Sequence, residues 1–290
     1  MRHPLLAAEL FPAGRSDIVA RRLTLSTGVT VRIVERGPPH GKPVVMLHGW
    51  GASAYMYRHA FDLLPQRGLR AIAVDLRGFG LSDKPTASGS YALDAYCADV
   101  HALLDALDLP RASLIGQSMG GGLALRYALR DPARVERLVL VTPVGLVPIA
   151  YLHTVQLIPQ SFVDMLGHRL VPRAVVDFIL RYVAYGDPAK PLARDVDEYW
   201  APTQLPGFVS AARSALDEFE WRPLGSDEAR TLRVPTAVIL GAKDRLIQNA
   251  GRAANGLPGA AVHTLEGGHC VLEENPGEVY SIIGQFLAGD

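Results

Sequence analysis

The sequence predicts an α/β fold: a mostly parallel central sheet flanked by helices, with a helical insertion between two of the strands. Three observations predict it. Short, near-continuous aliphatic runs recur along the chain, as strands buried on both faces require. Segments with apolar residues at three- and four-residue spacing separate them, the alternation of βα units. That alternation then lapses between about residues 144 and 224, where prolines, aromatics and helix-like spacing replace strand signals.

In chain order, "RLTLST" (22–27) and "TVRIVE" (30–35) flank Gly28 and read as an antiparallel hairpin. Six further runs read as strands: "PVVMLHG" (43–49), "RAIAVD" (70–75), "ASLIG" (112–116), "RLVLVT" (137–142), "PTAVILG" (235–241) and "AAVHTL" (260–265). Residues 93–109 read as an amphipathic helix with Asp94 near its start, a second helix is expected after Gly120, and a last from Pro276 to Leu287. The predicted division is a core of residues 1–144 and 225–290 with a cap of residues 145–224.

Composition sets bounds on function. Of 290 residues, 49% are hydrophobic and 20% charged, with 29 basic and 29 acidic residues in balance. Such a chain buries a large core without metal or disulfide and lacks the basic footprint of a general nucleic-acid binder. No window reaches about 18 uninterrupted apolar residues, so no membrane span is expected. Glu9 breaks the short apolar run near the start, so no secretory signal is expected either. The two cysteines, Cys97 and Cys270, read as reduced thiols of a cytoplasmic protein.

The chemistry concentrates at "GQSMG". Gly116-Gln117-Ser118-Met119-Gly120 is a G-x-S-x-G pentapeptide between a predicted strand and a predicted helix. A serine on so tight a turn exposes its hydroxyl at the sheet's C-terminal edge, and glycines two residues to either side relieve the crowding. The following helix aims its first N–H groups at the same point. A serine hydroxyl needs a base. Among nine histidines, His269 in "LEGGHCVLEENP" follows the last predicted strand and so falls at the same edge. His263 lies in a strand, His101 on a helix, and His153 and His168 in the insertion. The base needs a carboxylate to fix its tautomer, and Asp244 in "VILGAKDRLI" stands just beyond a strand in the chain order Ser118, Asp244, His269. The oxyanion donors expected are the backbone N–H groups of Met119 and of Trp50 in "HGWGAS", with Gly51 the alternative to Trp50.

Taken together, "HGWGAS", "VDLRGFGLSDKP", "GQSMGGG", "LGAKDRLI" and "EGGH" resemble the α/β-hydrolase superfamily, in particular its capped serine esterases. The resemblance covers about residues 22–144 and 225–288. It implies that His48 and Arg77 are scaffold residues. It also implies ester hydrolysis through an acyl-enzyme on a neutral, hydrophobic small-molecule ester or lactone. Epoxide hydrolases and haloalkane dehalogenases share the "DLRGFGLSDKP" type of loop but carry an aspartate where this chain has Ser118. Carbon–carbon bond hydrolases tend to carry "HGxGPG" where this chain has "HGWGAS". They and cofactor-free perhydrolases remain the alternatives on the same triad, with a ligand sensor that retains slow hydrolysis as the alternative of another class. "RGFGLS" lacks the third glycine of a dinucleotide loop and "GQSMGGG" lacks the Gly-Lys of a phosphate loop. No His/Cys/carboxylate set has metal-ligand spacing, so neither cofactor nor metal is expected.

Overall fold

A computed structural model describes residues 5–149, 152 and 171–289. Its sheet has eight strands: β1 (Val19–Thr24), β2 (Thr30–Arg36), β3 (Lys42–Leu47), β4 (Leu69–Asp75), β5 (Ala112–Gln117), β6 (Val135–Val141), β7 (Thr236–Gly241) and β8 (Ala261–Leu265). They lie in the order β1-β2-β4-β3-β5-β6-β7-β8. β1 pairs antiparallel with β2, and β2 with β4; every later pairing is parallel.

The interior strands alternate cleanly between two cores, because successive side chains leave opposite faces of a strand. Val45, Leu47, Ile72, Val74, Leu114, Leu138, Leu140 and Val238 join one apolar cluster. Val44, Met46, Ala71, Ala73, Ile115, Val139, Val141 and Ile239 join the other. On the first face pack α2 (Leu93–Ala106) and α3 (Met119–Arg130), the former through Tyr96, Val100, Leu103 and Leu104. On the second lie the short α1 (Ala60–Leu63) and, near the C-terminus, a 13-residue helix over Pro276–Ala288 whose Val279, Ile283 and Leu287 recur at four-residue spacing. Each fully buried aliphatic side chain contributes about 1.5–3 kcal/mol, so covering both faces is what makes continuous apolar strands stable.

Between β6 and β7 the described residues hold only helices: α4 (Arg173–Ile179), continued by a π-type turn over Leu180–Ala184, α5 (Ala193–Trp200), α6 (Phe208–Glu218) and α7 (Ser226–Arg230). Beyond β7 come α8 (Ala250–Ala254), α9 (Val271–Glu274) and α10, the helix over Pro276–Ala288. His153 and His168 lie outside the described residues. No helix among the described residues is long and apolar enough to cross a membrane.

Some boundaries differ from the sequence reading. The first strand begins at Val19 and ends at Thr24, three residues earlier at each end. Leu25 and Val29 are buried at the turn, where Leu25 N–H donates to Val29 O at 2.9 Å, so the chain turns inward before Gly28 instead of continuing the strand. The third strand stops at Leu47, leaving His48 and Gly49 in the loop.

Candidate active site

The chain runs from β3 outward to β4 and then returns to place β5 on the other side of β3. A crevice at such a reversal, at the C-terminal ends of the strands, is where open α/β sheets bind ligands. The loop after β3 carries His48, Gly49 and Trp50, and the turn after β5 carries Ser118. Thr142 follows β6, Asp244 follows β7, and His269 follows β8.

Ser118 sits between strand and helix with φ 53° and ψ −117°, a conformation that costs a non-glycine residue of order 1–3 kcal/mol. Its main chain is pinned on both sides. Ser118 N–H donates to Val141 O at 3.1 Å, while its carbonyl accepts from Gly122 at 2.9 Å and Val144 at 3.0 Å. The flanking glycines are sterically required. A Cβ at Gly116 would lie 2.3 Å from Gly120 O, and one at Gly120 would lie 2.1 Å from Leu47 O. α3 is thereby drawn against the end of β3, which brings the two loops of the crevice together.

The acid and base loops are joined by their main chains: Ala242 N–H donates to Leu265 O and Lys243 N–H to Gly267 O, each at 2.8 Å. This sets Asp244 beside His269. His269 Nδ1 lies 2.8 Å from Asp244 Oδ2, and both side chains are almost wholly buried. The other carboxylate oxygen, Oδ1, accepts from Leu246 N–H at 2.7 Å and Ile247 N–H at 3.0 Å. Burial opposes ionisation of Asp244, but the His269 contact and these two N–H groups outweigh it and hold the carboxyl below its ordinary range. Asp244 thus both orders its own turn and bonds the imidazole. Glu266 is taken up in an ion pair with Lys243 at 2.8 Å.

Two residues with no signal of spacing or periodicity tie His269 to the serine turn. Its carbonyl accepts from Gln117 Nε2 and from Thr142 Oγ1, both at 3.0 Å, across 152 and 127 residues of chain. Gln117 immediately precedes Ser118, so the nucleophile turn and the histidine loop share a direct polar link.

On the β3 side, a Cβ on Gly49 would lie 3.1 Å from Ser118 Cβ, so this loop passes directly against the serine. Trp50 N–H and Met119 N–H take no hydrogen-bond partner among the described residues. Trp50's indole N–H donates to Ala212 O of α6 at 2.8 Å. His48 is fully buried: Nε2 accepts from Leu76 N–H at 2.9 Å, which leaves the ring proton on Nδ1 to donate to Gly49 O at 2.7 Å. Desolvation lowers its pKa and keeps the ring neutral. Arg77 makes a two-pronged ion pair with Asp99, with both contacts at 2.5 Å. The side chains of His48 and Arg77 are spent on the scaffold.

Cys270 adjoins His269 but is buried, and burial, with Glu273 and Glu274 nearby, pushes its thiol well above the ordinary range. That environment suppresses a thiolate. Cys97, also free, is pushed up by burial to about 11. Around Cys270, Leu180, Ala184 and Tyr185 pack with Val196 and Trp200, whereas Phe178, Ile179 and Tyr182 face solvent.

A strained strand-to-helix turn at this edge of a parallel sheet is characteristic of α/β hydrolases, and a family model described as alpha/beta hydrolase fold matches residues 42–276. The chain belongs to that family and is a hydrolase of that fold. It is 30% identical over 263 residues to a non-heme chloroperoxidase of Streptomyces lividans, covering 88% of this chain and 94% of that one. It is also 30% identical over 279 residues to a 2-hydroxymuconate semialdehyde hydrolase of Pseudomonas sp. strain CF600, covering 92% and 93%. Among solved structures, a meta-cleavage product hydrolase from Pseudomonas fluorescens IP01 shares the fold with a TM-score of 0.79 at 22% identity, over 95% of this chain and 99% of that one.

Proposed function

We propose that this chain is a serine hydrolase that cleaves carboxylic esters or lactones of neutral, hydrophobic small molecules, with Ser118, His269 and Asp244 as its triad. The observation that carries this reading is the buried 2.8 Å contact between His269 Nδ1 and Asp244 Oδ2, on a loop tied through Gln117 to the strained Ser118 turn. In the proposed reaction, Ser118 Oγ attacks the carbonyl carbon and its proton passes to His269 Nε2. Met119 and Trp50 N–H groups hold the resulting oxyanion. Trp50 is favoured over Gly51 because its N–H belongs to the peptide directly after Gly49, the residue that meets Ser118. Collapse breaks the bond to the leaving oxygen, which takes the proton from His269. Water then gives a proton to His269 and attacks the acyl carbon, and the proton returns to Ser118 as the acid leaves.

We read residues 145–224 as a cap over this site. The two ends of the segment meet where Leu224 N–H donates to Gly145 O at 2.8 Å, and Trp50 reaches α6 through its indole. The two buried, unpaired thiols fit a cytoplasmic protein.

The test is steady-state hydrolysis of p-nitrophenyl esters from acetate to decanoate. Saturable turnover with an optimum chain length is expected, with a loss of about 10⁴-fold or more in Ser118→Ala. Equal rates for the two proteins would overturn the assignment. Carbon–carbon bond hydrolysis is the second reading, favoured by the 30% identity to 2-hydroxymuconate semialdehyde hydrolase over most of both chains. Gly51-Ala52-Ser53 in place of Gly-Pro-Gly weighs against it. Faster turnover of that semialdehyde than of any ester would reverse the order.

A further inference from the structure

The loop that carries His269 is held from outside the sheet as well as from within it. Glu274, on α9, is buried, and its carboxylate accepts hydrogen bonds from three main-chain N–H groups. Oε1 accepts from Gly268 at 2.6 Å and Gly186 at 2.9 Å; Oε2 accepts from Gly186 at 3.0 Å and Asp187 at 3.1 Å. Gly268 immediately precedes His269, whereas Gly186 and Asp187 belong to the helical segment between β6 and β7. No lysine or arginine pairs with this carboxylate among the described residues. The carboxylate is met instead by a cradle of main-chain N–H groups, the kind of concavity that binds anions.

The two segments are interleaved around it. Cys270 N–H donates to Ala184 O at 3.1 Å, and Lys190 Nζ donates to Glu274 O at 2.6 Å. A Cβ at Gly268 would lie 2.4 Å from Gly186 N, so the backbones touch with no side chain between them. Arg245, next to Asp244, donates to Tyr182 O and Tyr185 O at 3.0 Å each. The neighbouring Glu273 is spent elsewhere, on Arg58, Tyr185 and Tyr199. Residues 182–190 therefore grip the neighbours of both the acid and the base.

We propose that Glu274 is a positioning residue for His269: by clamping the Gly268 peptide to the Gly186–Asp187 turn, it makes the helical segment between β6 and β7 set where the imidazole stands relative to Ser118. This rests on the serine-hydrolase reading above. Glu274 does not touch the reacting atoms, so its loss acts on the geometry of proton transfer, and a displacement of about 1 Å there costs on the order of 10²-fold.

The test compares wild type, Glu274→Ala and Glu274→Gln. The readouts are kcat and KM for the best p-nitrophenyl ester, the rate of serine phosphorylation by diisopropyl fluorophosphate with release of fluoride, and hydrogen exchange at the Gly186, Asp187 and Gly268 amides. Rates are taken per folded molecule, judged by near-UV circular dichroism. In the alanine variant, kcat and the phosphorylation rate should both fall about 10–100-fold, KM should stay within about threefold, and all three amides should lose protection. The glutamine variant guards against a misfolded alanine variant. Its amide oxygen can keep Gly268 while its NH₂ group faces the other two donors, so an intermediate loss is expected. A reactive wild type matched within about twofold by a folded glutamine or alanine variant, with only thermal stability reduced, overturns the positioning role alone. A wild type inert to both ester and fluorophosphate overturns the serine-hydrolase reading, and this one with it.

Discussion

Replacing Asp244 with asparagine separates the two jobs of that carboxylate. Oδ1 holds the Leu246 and Ile247 N–H groups, and Oδ2 faces His269 Nδ1 at 2.8 Å. An asparagine keeps more bonds by turning its single oxygen toward the two N–H groups, which leaves its NH₂ against the imidazole. His269 must then accept at Nδ1 and carry its proton on Nε2, the tautomer that cannot take a proton from Ser118. The same exchange in a serine protease triad lowers kcat about 10⁴-fold, and a loss of that order is expected here in p-nitrophenyl ester hydrolysis. Stability should fall far less. Two charge-assisted bonds become neutral ones and a third is rearranged, worth of order 1–2 kcal/mol after the relieved cost of burying a charge. Because folding lowers the Asp244 pKa, that contribution is present above the unfolded value of about 3.9 and is lost as pH falls through the folded one. Urea unfolding at pH 7 should therefore separate the two proteins, and at pH 3 the gap should have narrowed. A kcat within tenfold of wild type, or a gap unchanged between the two pH values, would refute the reasoning.

Two further outcomes follow from the scaffold. Gly120→Ala would press its Cβ against Leu47 O and His48 O, both main-chain atoms; a loss of about 1–3 kcal/mol in urea unfolding is expected, and retention of wild-type stability would show that α3 can retreat from β3 freely. His48 is held neutral by burial, so below its unfolded value of about 6.5 the folded chain binds fewer protons at this site than the unfolded chain. Stability should fall with acid at up to about 1.4 kcal/mol per pH unit from this residue, and His48→Gln, measured at pH 7, 6 and 5, should show a shallower slope.

The hydrolase core was legible because its signals are local. Eight aliphatic runs became eight strands, and Gly116 and Gly120 bracket a serine whose tight turn the pentapeptide implies and whose φ is 53° in the fold. Asp244 and His269 each follow a strand, and parallel strands deliver such loops to one edge. The hairpin boundary was less legible: Leu25 and Val29 are apolar for reasons of burial at a turn, and composition alone does not separate that from strand pairing. Gln117, Thr142 and Glu274 were not legible at all. Their partners lie on other loops, and a polar residue that meets a main-chain group from a distant segment leaves no pattern in its own neighbourhood. Thr142, with φ 40°, is betrayed only by its backbone.

The anchoring of Trp50 gives the protein an intrinsic optical reporter. Of the three tryptophans, Trp200 and Trp221 are less than a tenth exposed, whereas Trp50 is 40% exposed. An aqueous collisional quencher such as iodide thus meets mainly one indole, the one whose ring N–H is fastened to α6 and whose main chain borders Ser118. Changes in the fraction of emission it extinguishes would follow the approach of that helix to the crevice, with no label attached and no substrate consumed.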